Sequence, residues 1–199
     1  MGNNGTLTAK APKRPEPVML FARNFFKHPK MLGWFLPSSR FLIRQVLKRV
    51  DWTRAKVVVE YGPGVGSFTA EILRRLPSDG TLIAVETNND FVKYLQESFD
   101  DPRLHLVHRS AEEIDRVLEK LGFTHADYII SGIPFKTIPE QARSVIIEKT
   151  HSVLHPEGLF LVYGFTTTVR PYLERVFGSV VDDFELLNLM PGRMFYCRR

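Results

Sequence analysis

One cysteine, Cys197, in 199 residues leaves no partner for an intramolecular disulfide, so nothing in the composition asks for an oxidising compartment. No uncharged apolar run reaches the roughly 18 residues a membrane-spanning helix needs, and residues 1–17 lack the apolar core of a signal peptide. No His, Cys or carboxylate spacing has the form of a metal site. These absences set the expectation of a cytoplasmic chain that does not span a membrane and holds no metal, with its oligomeric state left open.

What is present is unevenly spread. Residues 1–55 carry eleven Lys or Arg against Glu16 and Asp51, whereas residues 56–199 carry sixteen against twenty acids, so the net charge of +5 has its whole basic excess in the first quarter. Such a segment attracts phosphates, of nucleic acid or of an anionic membrane surface. Residues 1–17, rich in Gly, Asn and Pro, read as a disordered tail, 18–55 as a basic and amphipathic helical extension, and 56–199 as the catalytic domain.

From Lys56 onward short β-branched runs alternate with helical patterns, which predicts an α/β fold with a mostly parallel sheet. The strands expected are Val57–Tyr61, Thr81–Glu86, Leu104–His108, Tyr128–Ser131, Leu159–Tyr163, Phe184–Met190 and Met194–Arg198. Only Pro191, Gly192 and Arg193 separate the last two, so they should form an antiparallel hairpin, giving seven strands of which one is reversed. Helices are expected over Arg40–Val50, Phe68–Leu76, Asp90–Phe99, Glu112–Leu121, Glu140–Leu154 and Arg170–Phe177, with Ser67 and Asn89 as caps and Pro139 in a first turn. A further helix over Val18–Lys27 sets Val18, Phe21, Ala22, Phe25 and Phe26 opposite Arg23 and Lys27.

The first strand runs directly into Gly62-Pro63-Gly64-Val65-Gly66, and Glu86 closes the next strand about twenty residues later. Glycines at these positions let backbone approach a ligand closely, and a carboxylate there can accept both hydroxyls of a ribose. A dinucleotide fingerprint would want Gly or Ala at Ser67, so an NAD-binding turn fits less well.

Glu60-Tyr61-Gly62-Pro63-Gly64-Val65-Gly66 resembles motif I of the class I methyltransferases, a likeness covering residues 56–199. It implies a Rossmann-like fold that binds S-adenosylmethionine and releases S-adenosylhomocysteine. Gly62, Gly64 and Gly66 would lie under the methionine part, Glu60 would orient its amino group, Glu86 with Thr87 would hold the ribose, and Ser110 and Ala111 would flank the adenine.

Ser131-Gly132-Ile133-Pro134-Phe135 follows the fourth strand and is the loop expected to face the methyl acceptor, with Ser131 also bordering the cofactor. It resembles the Asn-x-Pro-Tyr/Phe motif of the ribosomal RNA adenine dimethylases, with Ser131 in place of Asn and Gly132 added. The serine is less suited to hold an adenine amino group, and no helical domain for gripping RNA is expected beyond the sheet hairpin. A closer likeness is to the bacterial phospholipid N-methyltransferases, which share the Ser-Gly-x-Pro loop and the segments Phe25-Phe26-Lys27-His28-Pro29 and Pro37-Ser38-Ser39-Arg40. That likeness implies methylation of the amino group of phosphatidylethanolamine towards phosphatidylcholine, by an enzyme bound peripherally to the inner face of the membrane.

The N-terminal helix, with Met31, Leu32, Trp34, Phe35 and Leu36 beyond it, suits a bilayer interface, although packing on the sheet explains the same amphipathicity. Single-stranded RNA can use interleaved basic and aromatic residues too. The alternatives carried forward are therefore an RNA adenine methyltransferase and a non-catalytic binding protein of the same fold. Methyl transfer to an amine requires the amine to be neutral, for which His108, Tyr163 and Glu140 are candidate proton acceptors, while Phe135 and Tyr163 are candidates for an aromatic cage around the methylated ammonium.

Overall fold

The computed structural model describes residues 40–164, 166–185 and 192–199. The expected helix over Val18–Lys27, the proline-flanked segments up to Ser39 and residues 186–191 lie outside the described residues.

The elements are α1 (Arg40–Leu47), β1 (Val57–Tyr61), α2 (Ser67–Arg75), β2 (Thr81–Glu86), α3 (Asn89–Ser98), β3 (Leu104–His108), α4 (Ile114–Lys120), β4 (Ala126–Ser131), α5 (Glu140–Val153), β5 (Leu154–Gly164), α6 (Arg170–Val176), β6 (Ser179–Glu185) and β7 (Gly192–Arg198). The sheet runs in the order β3-β2-β1-β4-β5-β7-β6. All neighbouring pairs from β3 to β5 are parallel, and β7 is antiparallel to both β5 and β6. The reversed C-terminal hairpin is therefore present, paired from Ser179↔Arg198 to Glu185↔Gly192.

β-Branched runs produce the central strands because both faces of the sheet are covered, so every residue of β1 is buried. Alternation divides its side chains. Val57, Val59 and Tyr61 pack with Ile114, Leu118, Ile147 and Leu173 of α4, α5 and α6. Val58 packs on the other face with Leu47, Phe68 and Ile72 of α1 and α2. Thus α1 contributes Leu42, Ile43, Val46 and Leu47 to the sheet's core, while Arg40, Phe41, Arg44 and Lys48 stay exposed.

Four expectations need correction. The sixth strand begins at Ser179, five residues before the expected Phe184, and is described as far as Glu185. It is an edge strand, and Asp182 and Asp183 within it pair with Arg170, Arg193 and Arg49, so acidic residues that obscure a strand in the sequence protect its open side. β5 begins five residues earlier than expected, at Leu154, with Pro156 and Gly158 inside it and an irregular register opposite Ala126 and Tyr128. The turn expected to start the fourth helix at Glu112 is a 3-10 turn over Ala111–Glu113, capped by Ser110. Finally, Gly66 and Asn88, not Ser67 and Asn89, occupy the N-cap positions of α2 and α3, with Asn88 Oδ1 accepting from Asp90 N at 2.9 Å. Pro139 likewise takes the N-cap position of α5.

The order of the strands reverses at β1, whose neighbours are β2 and β4, so the turns leaving β1 and β4 open side by side at the carboxyl edge, where ligands bind in open α/β sheets.

Candidate active site

The ladder between strands continues one residue past their ends and holds both turns: Gly62 N donates to Val85 O, and Gly132 N donates to Tyr61 O, each at 2.9 Å. Gly62, Gly64 and Gly66 all have positive φ, at 70°, 58° and 79°, which explains three glycines in five residues. Their surroundings differ. A β-carbon at Gly62 would stand 2.9 Å from Ile133 Cγ2, and one at Gly66 would meet the ring of Phe99 and the side chain of Leu95. At Gly64 nothing lies within 4 Å. The outer two glycines thus allow close packing, whereas the middle one borders open space.

Glu86 is 7% exposed and joins two turns. Its Oε1 accepts from Thr87 N and Asn88 N, both at 2.8 Å, and its Oε2 accepts from Gly64 N at 3.2 Å. Oε2 has one bond and keeps capacity for a ligand hydroxyl. Burial raises the carboxyl above its ordinary range, opposed by the three amide hydrogen bonds.

Glu60 is 1% exposed. Thr69 Oγ1, on the first turn of α2, donates to Glu60 Oε2 at 2.7 Å, while Oε1 has no partner. Burial pushes the carboxyl up to about 8, against the Thr69 hydrogen bond and with a smaller contribution from the charge of Glu86. An unpartnered buried carboxylate oxygen costs free energy until a donor arrives, and a cationic amine is the donor chemistry it suits. An open glycine turn flanked by these two acids fits S-adenosylmethionine. When bound, that cofactor supplies an electrophilic methyl group. Ser110 and Ala111 stand past β3: the Ser110 hydroxyl accepts from Glu112 N and donates to Glu112 Oε2, and Ala111 is buried.

In the loop after β4, Ser131 is fully buried and its Oγ has no hydrogen-bond partner. Gly132 lies against Tyr163 of β5, whose ring stacks on Phe68 of α2 at 4.3 Å and 14°. Phe135 takes a different place. It is 4% exposed and packs with the cluster around Phe160 and Ile146, while Tyr163 packs with the cluster on the opposite sheet face. The two rings therefore do not form a common cage, because consecutive turns after β4 deliver Phe135 to the α5 side. Pro134 is half-buried and occupies the N-cap position of the 3-10 turn Phe135–Thr137.

Of the three candidate proton acceptors, only Tyr163 adjoins this loop. His108 is exposed, is three strands away from Ser131, and its Nε2 lies 3.0 Å from Thr87 O. Glu140 is exposed in the first turn of α5. Thr69 and Phe68 were not singled out from the sequence. Their signal is there in retrospect, since Thr69 is a polar residue on the buried stripe of α2 that includes Phe68, Ile72 and Leu73. Among the described residues no cluster of three or more His, Cys, Asp or Glu could hold a metal ion, and no helix is long and apolar enough to cross a membrane.

Comparison with known proteins agrees with this geometry. The ribosomal RNA adenine dimethylase family matches residues 27–156. An ornithine lipid N-methyltransferase of Singulisphaera acidiphila is 30% identical over 181 residues, covering 90% of this chain and 94% of that protein. A ribosomal RNA small subunit methyltransferase A of Dehalococcoides mccartyi is 33% identical over 163 residues, 79% of this chain and 50% of that protein. The homologous enzyme of Mycoplasma mycoides subsp. mycoides is 27% identical over 56% of this chain and 44% of its own length. The chain thus spans about half the length of these ribosomal relatives. Among solved structures, the 1,6-didemethyltoxoflavin-N1-methyltransferase of Burkholderia thailandensis, with bound S-adenosylhomocysteine, shares the fold at a TM-score of 0.63 and 16% identity, over 96% of this chain and 93% of that one. With its glycine turn, paired acids and reversed hairpin, the chain belongs to the ribosomal RNA adenine dimethylase family of S-adenosylmethionine-dependent methyltransferases.

Proposed function

We propose that this methyltransferase acts on the amino group of a membrane lipid headgroup, working from an anionic membrane surface on the cytoplasmic side. The observation that carries the reading is a likeness to a lipid N-methyltransferase that runs nearly end to end in both chains, whereas the ribosomal enzymes are matched over about half their length. Phosphatidylethanolamine is the acceptor the sequence motifs favour, and an ornithine headgroup is the alternative within the same class of primary amines.

The site offers what such an acceptor needs. In-line displacement requires nucleophile, methyl carbon and sulfur in a row, so the protein's main task is to hold them. Ser131 and Gly132 supply a compact loop, Tyr163 walls it with an aromatic ring, and Glu60 and Glu86 fix the cofactor's far parts. A primary ammonium of ordinary pKa, about 10.4 for a lysine-like amine, must lose its proton first, and desolvation beside a sulfonium favours the neutral form. The exposed side of α1 supports a surface role: Arg40 and Arg44 are exposed on it and Lys48 just past its end, and Phe41 is 40% exposed with the Arg40 guanidinium 5.5 Å from its ring.

The test is transfer of labelled methyl to phosphatidylethanolamine and to ornithine lipid in anionic liposomes, with total RNA as a parallel acceptor. Label in either lipid, lost in a Glu86→Ala control, supports the reading. Label in RNA alone overturns it. Deleting residues 1–36 should sharply reduce liposome sedimentation, and unchanged sedimentation removes the membrane-anchoring part.

A further inference from the structure

Arg143 lies on the first turn of α5, away from the cofactor turn, yet each of its three guanidinium nitrogens reaches an oxygen that bears on the loop after β4. Nε donates to Phe135 O at 3.0 Å and Nη2 donates to Ile138 O at 2.9 Å, the two ends of the 3-10 turn. Nη1 donates to the Tyr172 hydroxyl of α6 at 3.0 Å, and the guanidinium carbon sits 4.8 Å from the centre of the Tyr172 ring. Among the described residues no carboxylate pairs with it. A part-buried guanidinium whose hydrogen bonds go to neutral oxygens is an uncommon use of a cation, because burial of charge is ordinarily repaid by an opposite charge. What the arrangement does achieve is geometric: a rigid planar fork fastens one loop at two points and ties it to a second helix.

That loop continues inward to the chemistry. Phe135 N donates to Ile133 O at 3.0 Å, and Ile133 packs where a β-carbon on Gly62 would stand. Gly132, one residue earlier, is hydrogen-bonded to Tyr61 O at the end of β1. A continuous set of contacts therefore runs from Tyr172 through Arg143 and Phe135 to the loop beside the cofactor turn. We infer that Arg143 is a positioning residue for methyl transfer, holding the Ser131–Phe135 loop in register with the glycine turn so that the acceptor amine meets the methyl carbon in line. The inference rests on that loop being the acceptor's side of the site, and not on which amine is methylated.

Lysine can keep the charge but cannot bond three divergent oxygens, so Arg143→Lys separates the fork from the charge. The experiment compares wild type, Arg143→Lys and Tyr172→Phe, each below its own melting temperature, by two readouts: amide hydrogen exchange over residues 132–138, and kcat and KM with the acceptor that wild type uses. For Arg143→Lys we expect faster exchange in the loop, kcat lowered about 10-fold to 100-fold, and KM for S-adenosylmethionine within about 2-fold, as loss of alignment without loss of cofactor contacts implies. Tyr172→Phe keeps the ring and should fall between the two. Unaltered exchange, or faster exchange with wild-type kcat, overturns the inference. If wild type proves to methylate RNA and not lipid, the lipid reading fails while the same comparison is made on RNA, so the two failures are told apart.

Discussion

The hydroxyl oxygen of Tyr163 occupies the space that a β-carbon on Gly132 would need; such a carbon would also stand 2.6 Å from Tyr163 Cζ. Gly132 has no positive φ, so alanine suits its backbone and the conflict is one of space alone. Gly132→Ala should push Tyr163 off its stack on Phe68 and widen or block the acceptor's approach. We expect kcat to fall about 100-fold, as sub-ångström to ångström misplacement does in aligned displacements, with a stability loss of about 1–3 kcal/mol from crowding. Steady-state kinetics and thermal melting check both. A wild-type kcat would mean that the loop does not border the acceptor.

Glu86 holds backbone amides of two turns, and two substitutions separate that structural part from the ribose binding proposed for it. Glu86→Ala leaves the amides of Gly64, Thr87 and Asn88 without their acceptor, each a loss of about 1 kcal/mol or more, so the melting temperature should fall along with cofactor affinity. Glu86→Gln keeps one acceptor oxygen and should be nearer wild type in stability while still binding S-adenosylmethionine at least about 10-fold more weakly, since the other oxygen gives way to an NH2 group that cannot accept. Calorimetric titration with S-adenosylmethionine decides. Unchanged affinity in both would remove the ribose assignment.

Phe135 is packed too deeply for its ring to be a free ligand surface. Phe135→Ala should cost about 3–5 kcal/mol in denaturant unfolding, the usual price of emptying an aromatic site, and Phe135→Leu less than half of that. A fall in kcat without any loss of stability would instead give the ring a direct part in holding the acceptor.

The legible parts of this molecule are those written in local patterns. Val57–Tyr61 and Thr81–Glu86 form strands with the bounds their apolar runs indicate, because they are covered on both faces; Leu104–His108 keeps its expected bounds too, although it is an edge strand of half-buried residues that ends at exposed His108. β6 begins earlier than its apolar pattern indicates because an edge strand is polar for reasons of protection, and its Asp182 and Asp183 are explained only by arginines on other elements, Arg49 of these lying far away in sequence. In the site, the glycine turn and Glu86 are readable from spacing. The division of labour among the glycines is not, since it depends on Phe99 and Ile133, which the fold alone brings to them. Thr69 and Arg143 escaped for the same reason: each is an ordinary helix residue until its partner from another element is known.

Glu60 should make cofactor binding depend on pH. Its carboxyl is pushed up to about 8 by burial, from an ordinary value near 4.5, so the folded protein holds a proton that the unfolded chain releases between those values. The sign follows: with the folded pKa raised, this group's burial costs nothing below about pH 4.5 and costs progressively more as pH rises towards 8. Arrival of a cationic amine reverses the preference, because the ionised carboxylate then has a partner for the empty Oε1. Affinity for S-adenosylmethionine should therefore rise between pH 6 and about 8, and binding near neutrality should release close to one proton, about the number that a single mostly protonated carboxyl can give up. Titration calorimetry in two buffers of different ionisation enthalpy measures that release. In Glu60→Gln the release and the pH dependence should both disappear. In Thr69→Val the hydrogen bond that lowers the pKa is lost, so the profile should shift to higher pH with its slope kept. A flat profile in wild type would show that Glu60 does not change its protonation when the cofactor binds, and would overturn the pairing of the amine with a carboxyl that ionises on its arrival.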